Sequence, residues 1–347
     1  MTTNGSSDIW LDGHPGNAWL AQTVEPALEP DLPICDPHHH LWPETKTRQP
    51  YTRYLMGELT TDVTSGHDIR STVFIEARAI YRPDGPEELR AVGEVEFADA
   101  QANLGPGGPV SAIVGRADLQ LGEDVGPVLD AHIAASPTRF RGIRYSVTSD
   151  PNPEAAGTTN REPGLLANER FRAGARVLAS RGLTFEAWLY HPQLLELVDF
   201  ARAVPDLTII LNHVGGLTRV GPYARDEQRT LAAWRDGIAA VAACPNVLVK
   251  LGGLGMPRTG FDYHTRSVPV RSEELAAGLA PFMTYCIDQF GPARAMFESN
   301  FPVDKVSYSY PILWNAFKRI CAGYPPADRA ALLHDTAARV YKIAYPA

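Results

Sequence analysis

The sequence has no basic block. Its 347 residues carry 32 Lys and Arg against 40 Asp and Glu, a formal net charge of -8, which argues against a nucleic-acid surface. No run of about eighteen apolar residues occurs, so a membrane-spanning helix is not expected. The opening Met1-Thr2-Thr3-Asn4-Gly5-Ser6-Ser7-Asp8 lacks the basic-then-apolar pattern of a secretion signal. A soluble, cytoplasmic protein is expected. The four cysteines, Cys35, Cys244, Cys286 and Cys321, show no C-x-x-C spacing, which points to reduced thiols rather than disulfides or a thiolate metal site. No Gly-x-Gly-x-x-Gly follows an early strand, so the phosphate cradle of an open doubly wound sheet is missing.

What is present begins with Asp36-Pro37-His38-His39-His40, closing the apolar-rich run Leu32-Pro33-Ile34-Cys35. In an extended strand alternate side chains share a face, so Asp36, His38 and His40 are expected to point one way, the two imidazoles roughly 6.6 Å apart along the strand. That spacing lets both converge on one ion or one substrate. A solvated histidine cluster in a loop is the plain alternative.

Residues 1–30 show no sustained period and read as an N-terminal extension in which Trp10 and Trp19 can anchor to the body or to a second subunit. Residues 43–70 read as an irregular connection, long enough for a lid. Strand-like runs then alternate with helical spacing: Ser71–Ala77, Val110–Leu119, Phe140–Val147, Leu183–Tyr190, Leu207–His213, Val247–Leu251 and Ala295–Phe301. With the histidine strand these make eight, most followed by a helix, and residues 31–347 are expected to form a single (β/α)8 TIM barrel.

Barrel sites form at the C-terminal strand ends, where the candidates are His38, His40, Glu76, Arg116, Arg144, Tyr190, His191, His213, Lys250, Glu298 and Asn300. His213, before Gly215-Gly216, suits a base or a ligand. Arg144 and Arg116 suit a carboxylate or a developing oxyanion. Glu76 and Glu298 read as bases, ligands or partners of those arginines. Tyr190 reads as a hydrogen-bond donor or as packing, and Lys250 as holding a substrate oxygen or neutralising a carboxylate. His191 is expected to be exposed at a helix start, and His132, His264 and His334 to be satisfied or solvated. Trp42, with Tyr51, Tyr54, Trp188 and Tyr190, can shape a pocket for a cyclic substrate.

The motifs Asp36-Pro37-His38-His39-His40-Leu41-Trp42, Phe140-Arg141-Gly142-Ile143-Arg144, Leu189-Tyr190-His191-Pro192, Asn212-His213-Val214-Gly215-Gly216 and Met296-Phe297-Glu298-Ser299-Asn300-Phe301-Pro302 occur in that order. Together they resemble the amidohydrolase-2 branch of the amidohydrolase superfamily, especially its 2-pyrone-4,6-dicarboxylate lactonase and sugar-acid lactonase subgroup. The resemblance implies a hydrolase that opens a lactone or related cyclic ester of a small, carboxylated acid. It implies a divalent metal, zinc first, on His38, His40 and His213, or metal-free catalysis by histidine and arginine. Decarboxylases, lyases and a lactone isomerase share the branch, and a non-catalytic binding barrel is a further alternative. The family's eighth-strand motif reads Ser-Asp-x-Pro, whereas this chain has Ser299-Asn300-Phe301-Pro302. An amide cannot take a proton at neutral pH, so Glu298 or Asp304 becomes the candidate base.

Overall fold

Eight short, largely apolar runs form strands β1 (Ile34–His39), β2 (Ile69–Ile75), β3 (Val110–Gly115), β4 (Phe140–Ser146), β5 (Thr184–Trp188), β6 (Ile209–Leu211), β7 (Val247–Leu251) and β8 (Ala295–Phe297). The structure, a computed structural model, describes residues 11, 13–45, 47–104, 109–157 and 161–343; Trp10 lies outside them. The strands pair in parallel in sequence order, β1 through β8. Parallel neighbours need long crossovers, and each strand is followed by one main helix: α1 (Met56–Val63), α2 (Val92–Ala102), α3 (Gly126–Ala135), α4 (Glu169–Ser180), α5 (Leu194–Ala203), α6 (Glu227–Ala242), α7 (Ser272–Phe290) and α8 (Tyr310–Ile320). The ring closes just beyond β8, where the His40 amide donates to the Phe301 carbonyl (2.8 Å) and the Asn300 amide to that of His38 (2.9 Å). The expected (β/α)8 barrel is therefore the fold.

Alternation along the strands divides the core. Cys35, Val73, Ile75, Ala112, Val114, Ile210, Leu248 and Met296 form the inner cluster, and Ala337, Val340 and Tyr341 of the last helical segment plug it. The outward-facing residues join the helices in a larger cluster. Each fully buried Val, Leu or Ile contributes about 1.5–3 kcal/mol, so the barrel is a rigid frame for its rim.

Two expectations change and a third is narrowed. The 43–70 connection contains a helix, α1, whose Leu59 and Val63 are buried. Several strands stop early: β3 at Gly115, β6 at Leu211 and β8 at Phe297. After β6 and β8 the reason is local, since His213, Val214 and Asn300 adopt φ of 53°, 46° and 55°, incompatible with extended backbone. Finally, Trp19 anchors the N-terminal arm to the body, its Nε1 donating to the Arg266 carbonyl at 3.0 Å, and Glu25 Oε1 accepts from the Ser272 amide at 3.0 Å. Among the described residues no helix is long and apolar enough to cross a membrane. The four cysteines are buried.

Candidate active site

The histidine strand does not present one continuous face. Its register against β2 slips between Asp36 and His39, so Asp36 does not accompany His38. Asp36 instead accepts from the Ser299 amide (2.9 Å) and the Tyr310 hydroxyl (2.9 Å), tying β1 to the loop after β8 and to α8. Burial raises its pKa to about 6 against those hydrogen bonds. His39 pairs with Thr72 Oγ1 at 3.0 Å and lies edge-on to Phe74. His38 and His40 remain together, ring centroids 4.9 Å apart, and His213 reaches His38 from β6 at 4.6 Å.

Glu298 joins two of these histidines. Its Oε1 accepts from His213 Nδ1 at 2.6 Å and from the His213 amide at 3.2 Å. His38 Nδ1 lies 2.6 Å from Oε2, yet off the direction of a formed hydrogen bond, so Oε2 is a buried carboxylate oxygen without a hydrogen-bond partner. All three side chains are essentially buried, and one ligand atom from each lies within 4.8 Å of the others. Two imidazoles and a carboxylate with one unsatisfied oxygen fit a divalent cation. His40 stands outside that group, its Nδ1 engaged by the Ile75 carbonyl at 2.8 Å. Glycine makes the crowding possible: a Cβ at Gly252 would meet Glu298 Cγ, and one at Gly253 would meet the His213 ring, each at 2.4 Å.

Beneath His38 lies a buried ion pair. Lys250 Nζ donates to Glu186 Oε2 and to the Pro37 carbonyl, both at 2.8 Å, and stands 3.4 Å from His38 Nδ1. Asn212 and Tyr341 also donate to Glu186. Lys250 thus faces a carboxylate and strand backbone. Breaking such a pair by removing one partner costs about 3–5 kcal/mol. Glu186 was not among the expected site residues; its signal is a charged residue at the centre of the apolar run Leu183–Tyr190.

Above His38, Arg144 is held from two sides. Its Nε donates to Glu76 Oε1 at 2.9 Å, its Nη2 to the Glu76 carbonyl, and its Nη1 lies 3.2 Å from His38 Nε2. Both ring nitrogens of His38 thus face a cation that can only donate, Nε2 toward Arg144 and Nδ1 toward Lys250. Burial, then the charges of Lys250, His213, His40 and Arg144, hold the His38 pKa well below its ordinary value. Burial and Arg144 do the same for His40. Both rings are neutral at neutral pH.

The remaining candidates occupy supporting positions. Asn300 Nδ2 donates to Asp304 Oδ1 at 2.8 Å, and Asp304 Oδ2 accepts from the Gly255 amide (2.8 Å) and the Tyr308 hydroxyl (2.7 Å). Burial raises the Asp304 pKa to about 6. Trp42 is buried, stacked near His40, with Arg48 4.3 Å above its ring. Tyr190 lies under Arg258 (3.9 Å) and accepts from the Gly157 amide at 3.1 Å, which clasps the loop after β4. His191 is buried rather than exposed, its Nδ1 facing the Thr218 amide, and burial lowers its pKa to about 4. Arg116 covers the Tyr145 ring.

Residues 35–343 match the family described as Amidohydrolase. The chain belongs to the amidohydrolase family. It is 34% identical over 325 residues to the uncharacterized protein y4mH of Sinorhizobium fredii, covering 90% of this chain and 99% of that one. It is 25% identical over 322 residues to an L-fucono-1,5-lactonase of Burkholderia multivorans, covering 90% and 97%. Among solved structures, a Burkholderia multivorans amidohydrolase with bound zinc superposes with a TM-score of 0.68 at 22% identity, covering 90% and 99%. This amidohydrolase is thus an enzyme whose histidines, Glu298 and Arg144 meet at the barrel rim.

Proposed function

We propose that this amidohydrolase opens a lactone or related cyclic ester of a small organic acid by adding water to its carbonyl. The observation that carries the reading is the Glu298–His213 contact at 2.6 Å. A carboxylate accepting at Nδ1 fixes the proton there and leaves Nε2 with its lone pair, the arrangement of a general base backed by an acid residue. His213 Nε2 takes a proton from water. The Arg144 guanidinium, aimed by Glu76, balances the charge that develops on the carbonyl oxygen, and the same imidazole returns the proton to the departing ring oxygen. Trp188, edge-on to His213 at 4.9 Å, limits how far that ring can turn. Asp304, already accepting three hydrogen bonds, holds Asn300 in place. Sequence relatives that include an L-fucono-1,5-lactonase make sugar-acid lactones the first substrates to try.

His38, His213 and Glu298 are the residues that would hold a divalent ion. When bound there, such an ion supplies Lewis-acid polarisation of a carbonyl and a more acidic water. The test is a lactone panel read by product mass. Hydrolysis adds one water, decarboxylation would remove carbon dioxide, and isomerisation would leave the mass unchanged. Glu298→Gln should lower kcat by about 10⁴-fold, as expected when an imidazole loses the carboxylate that fixes its tautomer. Full activity in Glu298→Gln, or a product without added water, would sink the proposal.

A further inference from the structure

A single peptide unit links Arg144 to a buried acid that the proposed mechanism does not use. The carbonyl of the Glu76–Ala77 peptide accepts from Arg144 Nη2, and its N–H, on Ala77, donates to Glu94 Oε1 at 2.8 Å. The same oxygen accepts from the Ala79 amide at 2.9 Å, so Glu94 spans the left-handed turn at Arg78 (φ 56°). Between those two amides the Ala77 carbonyl accepts from Arg48, whose guanidinium lies over Trp42. Glu94 is fully buried in the first turn of α2. That turn approaches closely because Gly93 has no side chain; a Cβ there would meet the Arg82 nitrogen at 2.7 Å.

An acid in the first turn of a helix ordinarily serves the N-terminus of that helix. Glu94 Oε1 instead takes two amides of the segment after β2, although burying a carboxylate costs free energy that a neutral residue would not. Its second oxygen, Oε2, is buried with no hydrogen-bond partner, as is Oε2 of Glu76. Burial, and then Glu76, raise the Glu94 pKa against the opposing pull of the two amides. What the arrangement secures is direction. A peptide is planar, so its N–H and C=O turn together; with the Ala77 N–H fixed, the Glu76 carbonyl cannot swing away from Arg144. Hydrogen bonds in series also polarise one another, so the acceptor at the Ala77 N–H strengthens the carbonyl's grip on the guanidinium.

We propose that Glu94 is a positioning residue for the reaction: through the Glu76–Ala77 peptide it fixes the direction in which Arg144 meets the carbonyl oxygen of the substrate. Glu76 holds the guanidinium at Nε with its side chain (2.9 Å) and at Nη2 with its backbone. The first hold belongs to Glu76 alone, and the second depends on Glu94. The inference rests on the lactone-opening reading for its effect on turnover, whereas the hold on Arg144 exists without substrate.

Rotation of the Arg144 guanidinium about its Nε–Cζ bond reads the second hold directly, because the two Nη groups can exchange places only when Nη2 lets go. It is measured by NMR from exchange between the Nη resonances of enzyme carrying isotope-labelled arginine, without substrate, and assigned by loss of the signal in Arg144→Lys. Arg141, early in β4, is the reference, since its Nε, Nη1 and Nη2 donate to the carbonyls of Tyr341, Phe140 and Thr138. Glu94→Leu should speed rotation at Arg144 by about tenfold or more, the range of one weakened charge-assisted hydrogen bond, with Arg141 unchanged. Glu94→Gln keeps an acceptor oxygen and mimics the protonated acid, and should restore most of the slow rotation. In lactone turnover kcat should fall by about 10²-fold in Glu94→Leu at unchanged KM, and largely recover in Glu94→Gln. Urea unfolding establishes that each variant is folded, and Glu94→Asp, one methylene short of the two amides, serves if Glu94→Leu is not. Wild-type rotation at Arg144 in the folded variant, equal acceleration at Arg141, or rotation as fast in Glu94→Gln as in Glu94→Leu would each overturn the proposal. A product without added water would sink the lactone reading and leave the rotation result untouched.

Discussion

A single methyl group at Gly253 should disable the amidohydrolase while leaving its barrel standing. Gly253 lies just past β7 with φ 69°, and an added Cβ would come within 2.4 Å of His213 Cγ and Nδ1 and within 2.6 Å of its Cβ, where ordinary contact begins at 3.4 Å. The ring must retreat by about 1 Å. It has little freedom to do so, because the His213 amide and Nδ1 both bind Glu298 Oε1, at 3.2 and 2.6 Å. Gly253→Ala therefore lengthens the contact that we propose sets the base. Misplacement of about 1 Å can cost about 10²-fold in rate. Stability should fall by roughly 3 kcal/mol, about 1–2 from alanine in a left-handed conformation and about 1.5–3 from a weakened charge-assisted hydrogen bond.

Gly291→Ala is the control. Gly291 closes α7 at φ 76° with nothing within 4 Å of its added Cβ. At ψ 155° it carries a positive-φ backbone cost of its own, about 1–3 kcal/mol, without touching the site. Proton release during lactone opening gives kcat, and urea unfolding gives stability. Wild-type kcat in a folded Gly253→Ala enzyme would refute the role given to the His213–Glu298 contact. An equal loss of activity in Gly291→Ala would show that backbone strain, not the imidazole, is responsible.

Two further perturbations probe the same frame. If His38, His213 and Glu298 form a cation site, zinc at about a hundred times its dissociation constant should stabilise wild type by about 2.7 kcal/mol and leave Glu298→Gln unaffected; calorimetric unfolding with and without zinc decides it, and an unshifted wild type rejects this ligand set. His132, buried with Nε2 on the Arg116 carbonyl at 2.8 Å, has its pKa lowered by burial from 6.5 to about 4. The unfolded chain then takes a proton that the folded chain refuses, so stability is whole above pH 6.5, begins to fall below it, and has lost about 3 kcal/mol once pH passes through 4. Unfolding titrations between pH 7 and 4 should show this slope reduced in His132→Gln, and an identical slope would refute the assignment.

The parts of the site that were legible in the sequence share one property: they lie at or near the C-terminal ends of strands. His38, Arg144 and Lys250 fall in the last residues of β1, β4 and β7 and His213 just beyond β6, and period-2 patterning places such residues at the rim. The bulge within β1 was not legible, because a one-residue slip leaves composition and spacing untouched while turning Asp36 toward Tyr310. Glu186 was hidden because its partners, Lys250 and Tyr341, lie 64 and 155 residues away.

Position 300 shows how pattern and geometry combine. Read alone, Asn300 looks like the loss of a catalytic carboxylate. In the structure it holds φ 55°, a conformation that asparagine tolerates better than most residues, and its amide nitrogen donates to Asp304 at 2.8 Å. A carboxylate in that place would set two acids oxygen to oxygen in a fully buried site, and one would have to keep its proton. The amide instead lets Asp304 bind Asn300, Gly255 and Tyr308 together, which fixes the loop after β8. That loop begins with Glu298, and fixing it holds the Glu298 carboxylate between His38 and His213. On the proposed mechanism the negative charge has moved two residues toward the strand, and Asn300 is part of what keeps it there.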